Sequence, residues 1–304
     1  MNKMSIQWSV AGALAFCSMG GIAEVVDGEY CYFLQDGVQV PLEYTLTRPD
    51  GLPAGEQRPL VIMIHGGSWS GGQRGGLANL AGDLRSAGYV AATIDYRLTR
   101  DNPNNPMQVG ADYTDIIKDV KCAVRYFRAQ GQAGNWNIDP DSIAVLGSSA
   151  GGHLATQIGV SRTAWEDMNG QYAGISSEPQ AIVNWYGPTD LAYNHAAVAA
   201  SQVSIEALLG GDPNTVPGRY NQASPINHVD ANDPPMLTIH GAEDETVPVA
   251  ENRLFHDAFL HAGGQHRLHV IEDAPHGFVK SGPYVEYYNE GVTKTVQFLD
   301  WVFE

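Results

Sequence analysis

Ile143-Ala144-Val145-Leu146-Gly147-Ser148-Ser149-Ala150-Gly151-Gly152 is the stretch whose reading decides the fold. Four apolar residues precede a Gly-x-Ser-x-Gly pattern, and a helix-like run from Ala150 to Val160 follows it. The order is strand, sharp turn, helix. Such a turn presents its middle serine at the carboxyl end of a sheet, and its glycines let strand and helix approach closely. Ser149 holds the middle position and Ser148 the variable one. Ser149 is therefore the candidate nucleophile.

Outward from this turn the chain alternates between short apolar strands and amphipathic helices. Strands are expected at Leu60 to Ile64, Tyr89 to Ile94, Ser142 to Leu146, Ala181 to Tyr186, Pro235 to Ile239 and Arg267 to Ile271. Helices are expected at Leu77 to Ala87, Asp112 to Gln130, Ala150 to Val160, Val249 to Ala262 and Tyr284 to Val302. In the longest, Ile116, Val120, Ala123, Val124 and Phe127 recur at helical spacing. Tyr30 to Leu34 and Val38 to Leu46 read as an antiparallel pair turning at Asp36-Gly37. This rhythm predicts an α/β protein with a mostly parallel central sheet and helices on both faces. The rhythm breaks after the sixth strand. Residues Leu191 to Pro234 hold no clean strand and read as a lid-like insertion, a plain surface excursion being the alternative.

Composition narrows the class. The chain has 304 residues, 43% hydrophobic and 17% charged, which suits a globular protein with a sizeable core. Its formal charge of −17 argues against nucleic acid or an anionic membrane surface as partner. Lys3, the apolar stretch from Val10 to Phe16 and the small residues at Gly21-Ile22-Ala23 read as a cleavable export signal over residues 1–23. A catalytic domain at 24–304, in a secreted or periplasmic protein, would follow. A packed or disordered N-terminus is the alternative. Cys31 and Cys122 would remain, either bridged or as free buried thiols. The oligomeric state is not legible.

Acyl transfer needs a nucleophile, a base, a group that orients the base, and donors for the oxyanion. After a strand–Ser–helix turn the expected chain order is Ser, then Asp or Glu, then His. His276, in Ala274-Pro275-His276-Gly277-Phe278, is the candidate base because an imidazole can take and return a proton near neutral pH. Asp244, in the turn after the Pro235 to Ile239 strand, is the candidate orienting acid; Asp190 is its rival, with helix capping as its plainer role. The backbone N–H groups of Ala150 and Gly67, and less directly Gly66, are the candidate oxyanion donors. Trp69 is a candidate pocket wall, a buried aromatic being the plainer role. His240 and His153 read as supporting residues. His256, His261, His266 and His269 share no face with metal-ligand spacing, so no metal and no cofactor is expected.

The chain resembles the esterase/lipase branch of the α/β-hydrolases that includes hormone-sensitive-lipase-like enzymes, and within it the carbohydrate-acting acetyl and feruloyl esterases. The resemblance rests on His65-Gly66-Gly67-Ser68-Trp69, Asp95-Tyr96-Arg97-Leu98, Gly147-Ser148-Ser149-Ala150-Gly151-Gly152-His153, Tyr186-Gly187-Pro188-Thr189-Asp190, His240-Gly241 with Asp244 and Val247-Pro248, and His276-Gly277-Phe278. It runs from about Leu42 to the C-terminus. It implies an α/β-hydrolase fold and a Ser149, Asp244, His276 triad. Many relatives carry an acidic residue where this chain has Ser148. The resemblance implies a serine esterase acting on small-molecule or polysaccharide esters: acetyl or feruloyl esters of plant polysaccharide, or simple short-chain carboxylic esters. A serine peptidase and a non-catalytic binding protein share the scaffold. Peptidases of this type usually carry a large β-propeller for which this chain lacks the length, and binding proteins commonly lose a triad member.

Overall fold

The computed structural model describes residues 24–102, 104–162, 164–166 and 170–304, so the expected export signal at 1–23 lies outside the described residues. The chain runs β1 (Val25–Gln35), β2 (Val38–Thr47), β3 (Arg58–Ile64), α1 (Ala78–Ser86), β4 (Val90–Ile94), α2 (Tyr113–Gln132), β5 (Ile138–Ser148), α3 (Ala150–Ser161) and β6 (Ala181–Trp185). It continues with α4 (Leu191–Ala197), α5 (Gln202–Leu209), α6 (Pro217–Ala223), β7 (Met236–Gly241), α7 (Val249–His261), β8 (His266–Ile271) and α8 (Val285–Phe303).

The eight strands form one sheet in the order β1-β2-β4-β3-β5-β6-β7-β8. β1 and β2 are antiparallel to each other, and β2 to β4; the six strands from β4 to β8 are parallel. The fold is that of an α/β-hydrolase. The β1–β2 turn is made by Asp36 and Gly37, both at positive φ, as a tight two-residue hairpin demands.

Strand periodicity builds both cores. On β3, Leu60, Ile62 and Ile64 enter the core with α2, α3 and α7, while Val61 and Met63 enter the one with α1 and α8. The parallel strands are therefore buried on both faces and read as continuous apolar runs. β3 pairs with β4 on one side and β5 on the other, so the chain reverses its winding at β3. Loops leaving β3 and β5 diverge there, at the carboxyl edge of the sheet, which is where sites form in open α/β sheets.

The segment after β6 folds into α4, α5 and α6 and contains no strand among its described residues. Ile205, Leu208, Leu209 and Tyr220 are buried in the main core, so the segment packs into that core rather than standing off it. Cys31 on β1 and Cys122 on α2 form a disulfide with Cα atoms 6.4 Å apart. No described helix is long and apolar enough to cross a membrane.

Candidate active site

Ser149 stands between the end of β5 and the start of α3 at φ 53°, ψ −121°. This backbone is costly for a residue with a side chain and needs surrounding structure to hold it. Its N–H donates to Trp185 O at 2.8 Å, and its carbonyl accepts the His153 N–H at 3.0 Å. The flanking glycines are obligatory: a Cβ on Gly147 would collide with the Gly151 carbonyl, and one on Gly151 with the carbonyl of Ile64.

The structure brings the three predicted side chains together across 127 residues of sequence. His276 Nε2 lies 3.0 Å from Ser149 Oγ. His276 Nδ1 lies 2.7 Å from Asp244 Oδ2. The Asp244 carboxylate is wholly buried, whereas the His276 side chain is 22% exposed and open to a substrate. Asp244 Oδ1 accepts the N–H groups of Thr246 and Val247, each at 2.8 Å. Burial acts to raise the Asp244 carboxyl, but hydrogen bonds from His240, His276 and Val247 outweigh it and hold the group well below the usual carboxylate range. Asp244 is thus a fixed anion beside the imidazole. Asp190, the rival acid, caps α4 by accepting the N–H groups of Ala192 and Tyr193.

The glycine loop leaving β3 lies against the serine. A Cβ on Gly66 would sit 3.1 Å from Ser149 Cβ and 2.9 Å from Ser148 O, so only glycine allows this approach. The Gly66 carbonyl faces His65 Nδ1 at 2.7 Å. In a trans peptide the following Gly67 N–H then points away from His65. Burial keeps His65 below the ordinary imidazole range, so it stays neutral and donates that bond. Among the described residues, neither the Gly67 N–H nor the Ala150 N–H donates to a protein acceptor. Ala150 is the first residue of α3, where N–H groups are free and the helix dipole is positive.

Trp69, expected to wall the pocket, is a core residue instead. It is only 4% exposed, and its indole N–H donates to His153 Nδ1 at 3.2 Å. His153 in turn bonds Ala223 O at 2.7 Å. The indole turns inward because a large ring gains more from burial than from lining an open edge, and there it ties the glycine loop to α3 and α6.

Three residues matter here that sequence reasoning did not place. Tyr96 stacks on His65 with ring centroids 4.4 Å apart and donates its hydroxyl to His65 O at 3.1 Å. Tyr186, at positive φ, sets its ring edge-on to His276 at 5.0 Å between centroids. Asn252 on α7 contacts the imidazole of His240. Tyr96 and Tyr186 sit at strand ends in the segments quoted above, which was their only signal.

Comparison with known proteins gives the family and the fold. A family model described as BD-FAE matches residues 52–259. The chain belongs to the BD-FAE family. This member is 32% identical over 213 residues to the probable carboxylic ester hydrolase LipM of Mycobacterium tuberculosis, covering 69% of this chain and 46% of that protein. The chain spans about half the length of the curated relatives it matches. The solved esterase Est2 of Thermogutta terrifontis superposes with a TM-score of 0.74 at 26% identity, covering 92% of each chain. A truncated carbohydrate esterase from gut microbiota shares the fold at 23% identity and a TM-score of 0.75, covering 91% of this chain and 95% of that one.

Proposed function

We propose that this BD-FAE member is a serine carboxylic-ester hydrolase working through an acyl-enzyme. The observation that carries the reading is the Ser149–His276–Asp244 hydrogen-bonded chain at 3.0 and 2.7 Å, with the serine on a strained turn. His276 Nε2 takes the Ser149 proton as Oγ bonds to the ester carbonyl carbon. The Gly67 and Ala150 N–H groups hold the oxyanion, with Gly66 alongside. Each such donor is worth about 3 kcal/mol in the transition state. His276 then gives its proton to the departing alkoxide as the C–O bond breaks. Water, losing a proton to His276, releases the acid and restores Ser149.

For the substrate we propose acetyl or feruloyl esters on plant polysaccharide. Support comes from the shared fold with a gut carbohydrate esterase and from the expected export signal. The Cys31–Cys122 disulfide is also in keeping with a secreted or periplasmic site, since such bonds persist in oxidising compartments. A second reading, hydrolysis of simple short-chain esters, is favoured by Est2, which has been solved with propionate and with butyrate bound.

The test is hydrolysis of 4-nitrophenyl acetate, butyrate and longer esters by wild type and Ser149→Ala. Wild-type turnover, with a loss of several orders of magnitude in the variant, is expected. Equal slow rates in both would refute the serine mechanism. Acetate or ferulate released from acetylated or feruloylated xylan would establish the polysaccharide reading. Turnover of butyrate esters with no product from either polymer would replace it with the second.

A further inference from the structure

Asp244 has a second histidine. His240 lies in β7, is fully buried, and sits with Nε2 2.7 Å from Val247 O and 3.1 Å from Asp244 Oδ2. Its other nitrogen, Nδ1, is 3.1 Å from Asn252 Nδ2. The Asn252 amide nitrogen is also 3.0 Å from Gly187 O, a pure acceptor. That contact orients the amide, with one hydrogen on Gly187 and the other on His240 Nδ1. Nδ1 therefore accepts, and the single ring hydrogen must sit on Nε2. There it faces only acceptors, Val247 O and Asp244 Oδ2.

We infer that His240, oriented by Asn252, is a positioning residue that holds the Asp244–Val247 turn, and with it Asp244 Oδ2, at the angle His276 requires. The Thr246 and Val247 N–H groups pin Oδ1. Among the described residues, His240 is the group that meets Oδ2 besides His276 itself. The His240 Nε2 hydrogen bonds Val247 O at 2.7 Å with Oδ2 beside it at 3.1 Å, so the ring steadies the turn that carries the carboxylate. The order Asn252, His240, Asp244, His276, Ser149 runs from α7 through β7 to the nucleophile. A misplacement of about 1 Å in such a series can cost about a hundredfold in rate.

The titratable groups facing this series are few. His240 and His276 meet Asp244 directly, and Tyr186 lies against the His276 ring. Glu251 precedes Asn252 on α7 but turns to Thr189, Asp190 and Asn194. Glu243, Glu245, Glu272 and Asp273 in the adjoining loops are exposed to solvent.

This inference rests on the triad reading, which the Ser149→Ala comparison tests separately. Its own test uses His240→Leu, His240→Gln and Asn252→Asp, with kcat and KM for 4-nitrophenyl acetate followed against pH and thermal unfolding as the control. In His240→Leu the donor is gone, and kcat should fall roughly 10- to 100-fold with KM little changed. His240→Gln returns an N–H near the Nε2 position and should recover most of that loss. Asn252→Asp offers Nδ1 a carboxylate, so His240 gains a second proton. The new cation weakens the hold of Asp244 on the His276 imidazolium and should move the acid limb of kcat/KM down by roughly half a pH unit or more. A folded His240→Leu enzyme with wild-type kcat, or an Asn252→Asp profile superimposing on wild type, would overturn the inference. Should His240→Leu fail to fold, the glutamine and aspartate variants decide: a fall in kcat beyond tenfold in His240→Gln, or an unmoved Asn252→Asp profile, counts against it.

Discussion

Replacing Asp244 by asparagine changes one atom and should stop the reaction. Two backbone N–H groups, from Thr246 and Val247 at 2.8 Å, demand an oxygen at the Oδ1 position. The new amide nitrogen must then occupy the Oδ2 position, 2.7 Å from His276 Nδ1. It can only donate, so His276 Nδ1 must accept. The ring hydrogen moves to Nε2, which faces Ser149 Oγ at 3.0 Å and can no longer take its proton. The corresponding change in a serine protease triad lowers kcat by about 10⁴, or about 5 kcal/mol of barrier. A loss of that order is expected here, measured as kcat on 4-nitrophenyl acetate near neutral pH with folding checked by thermal melting. A folded Asp244→Asn enzyme within tenfold of wild type would show that the His276 tautomer is not set by this carboxylate, and the mechanism built on it would fall.

Other expectations follow from single contacts. Gly66→Ala places a methyl 3.1 Å from Ser149 Cβ and 2.9 Å from Ser148 O, so kcat/KM should drop about a hundredfold with little change in melting temperature; wild-type kinetics would mean the loop shifts freely. Removing the Cys31–Cys122 bridge, which closes a 91-residue separation, should cost about 2–4 kcal/mol in urea unfolding, and a reducing agent should mimic it in wild type but not in the double serine variant. Burial pushes the Glu251 carboxyl from 4.5 up to about 8. A carboxyl raised on folding binds its proton more tightly in the native state, so its contribution to stability is lost as pH climbs from about 4.5 to about 8. Glu251→Gln should flatten that stretch of the melting-temperature profile, and an unchanged slope would place the pH dependence elsewhere.

The site was legible to the extent that it depends on strand ends. Ser149, Asp244 and His276 each follow an apolar run, and in a parallel sheet all such runs end on one edge. Chain order and local pattern therefore located them. Trp69 misled because a tryptophan after paired glycines looks the same whether its ring turns outward or, as here, in towards His153. Its direction depends on α3 and α6, which are far along the chain. The second histidine on Asp244 was read as a loop support, since its hydrogen belongs to a tautomer imposed by Asn252 on another helix.

By itself the amino-acid order determined the alternation of strands and helices, the strained turn at Ser149 and the succession of serine, acid and base. These follow from periodicity and from local backbone demands, which act over a few residues. Only the tertiary structure decided which partners meet. It joined Cys31 to Cys122, turned Asp190 to capping and Asp244 to His276, and folded residues after β6 into docked helices. Those outcomes depend on distances between segments tens of residues apart, and such distances exist only once the sheet has brought the segments together.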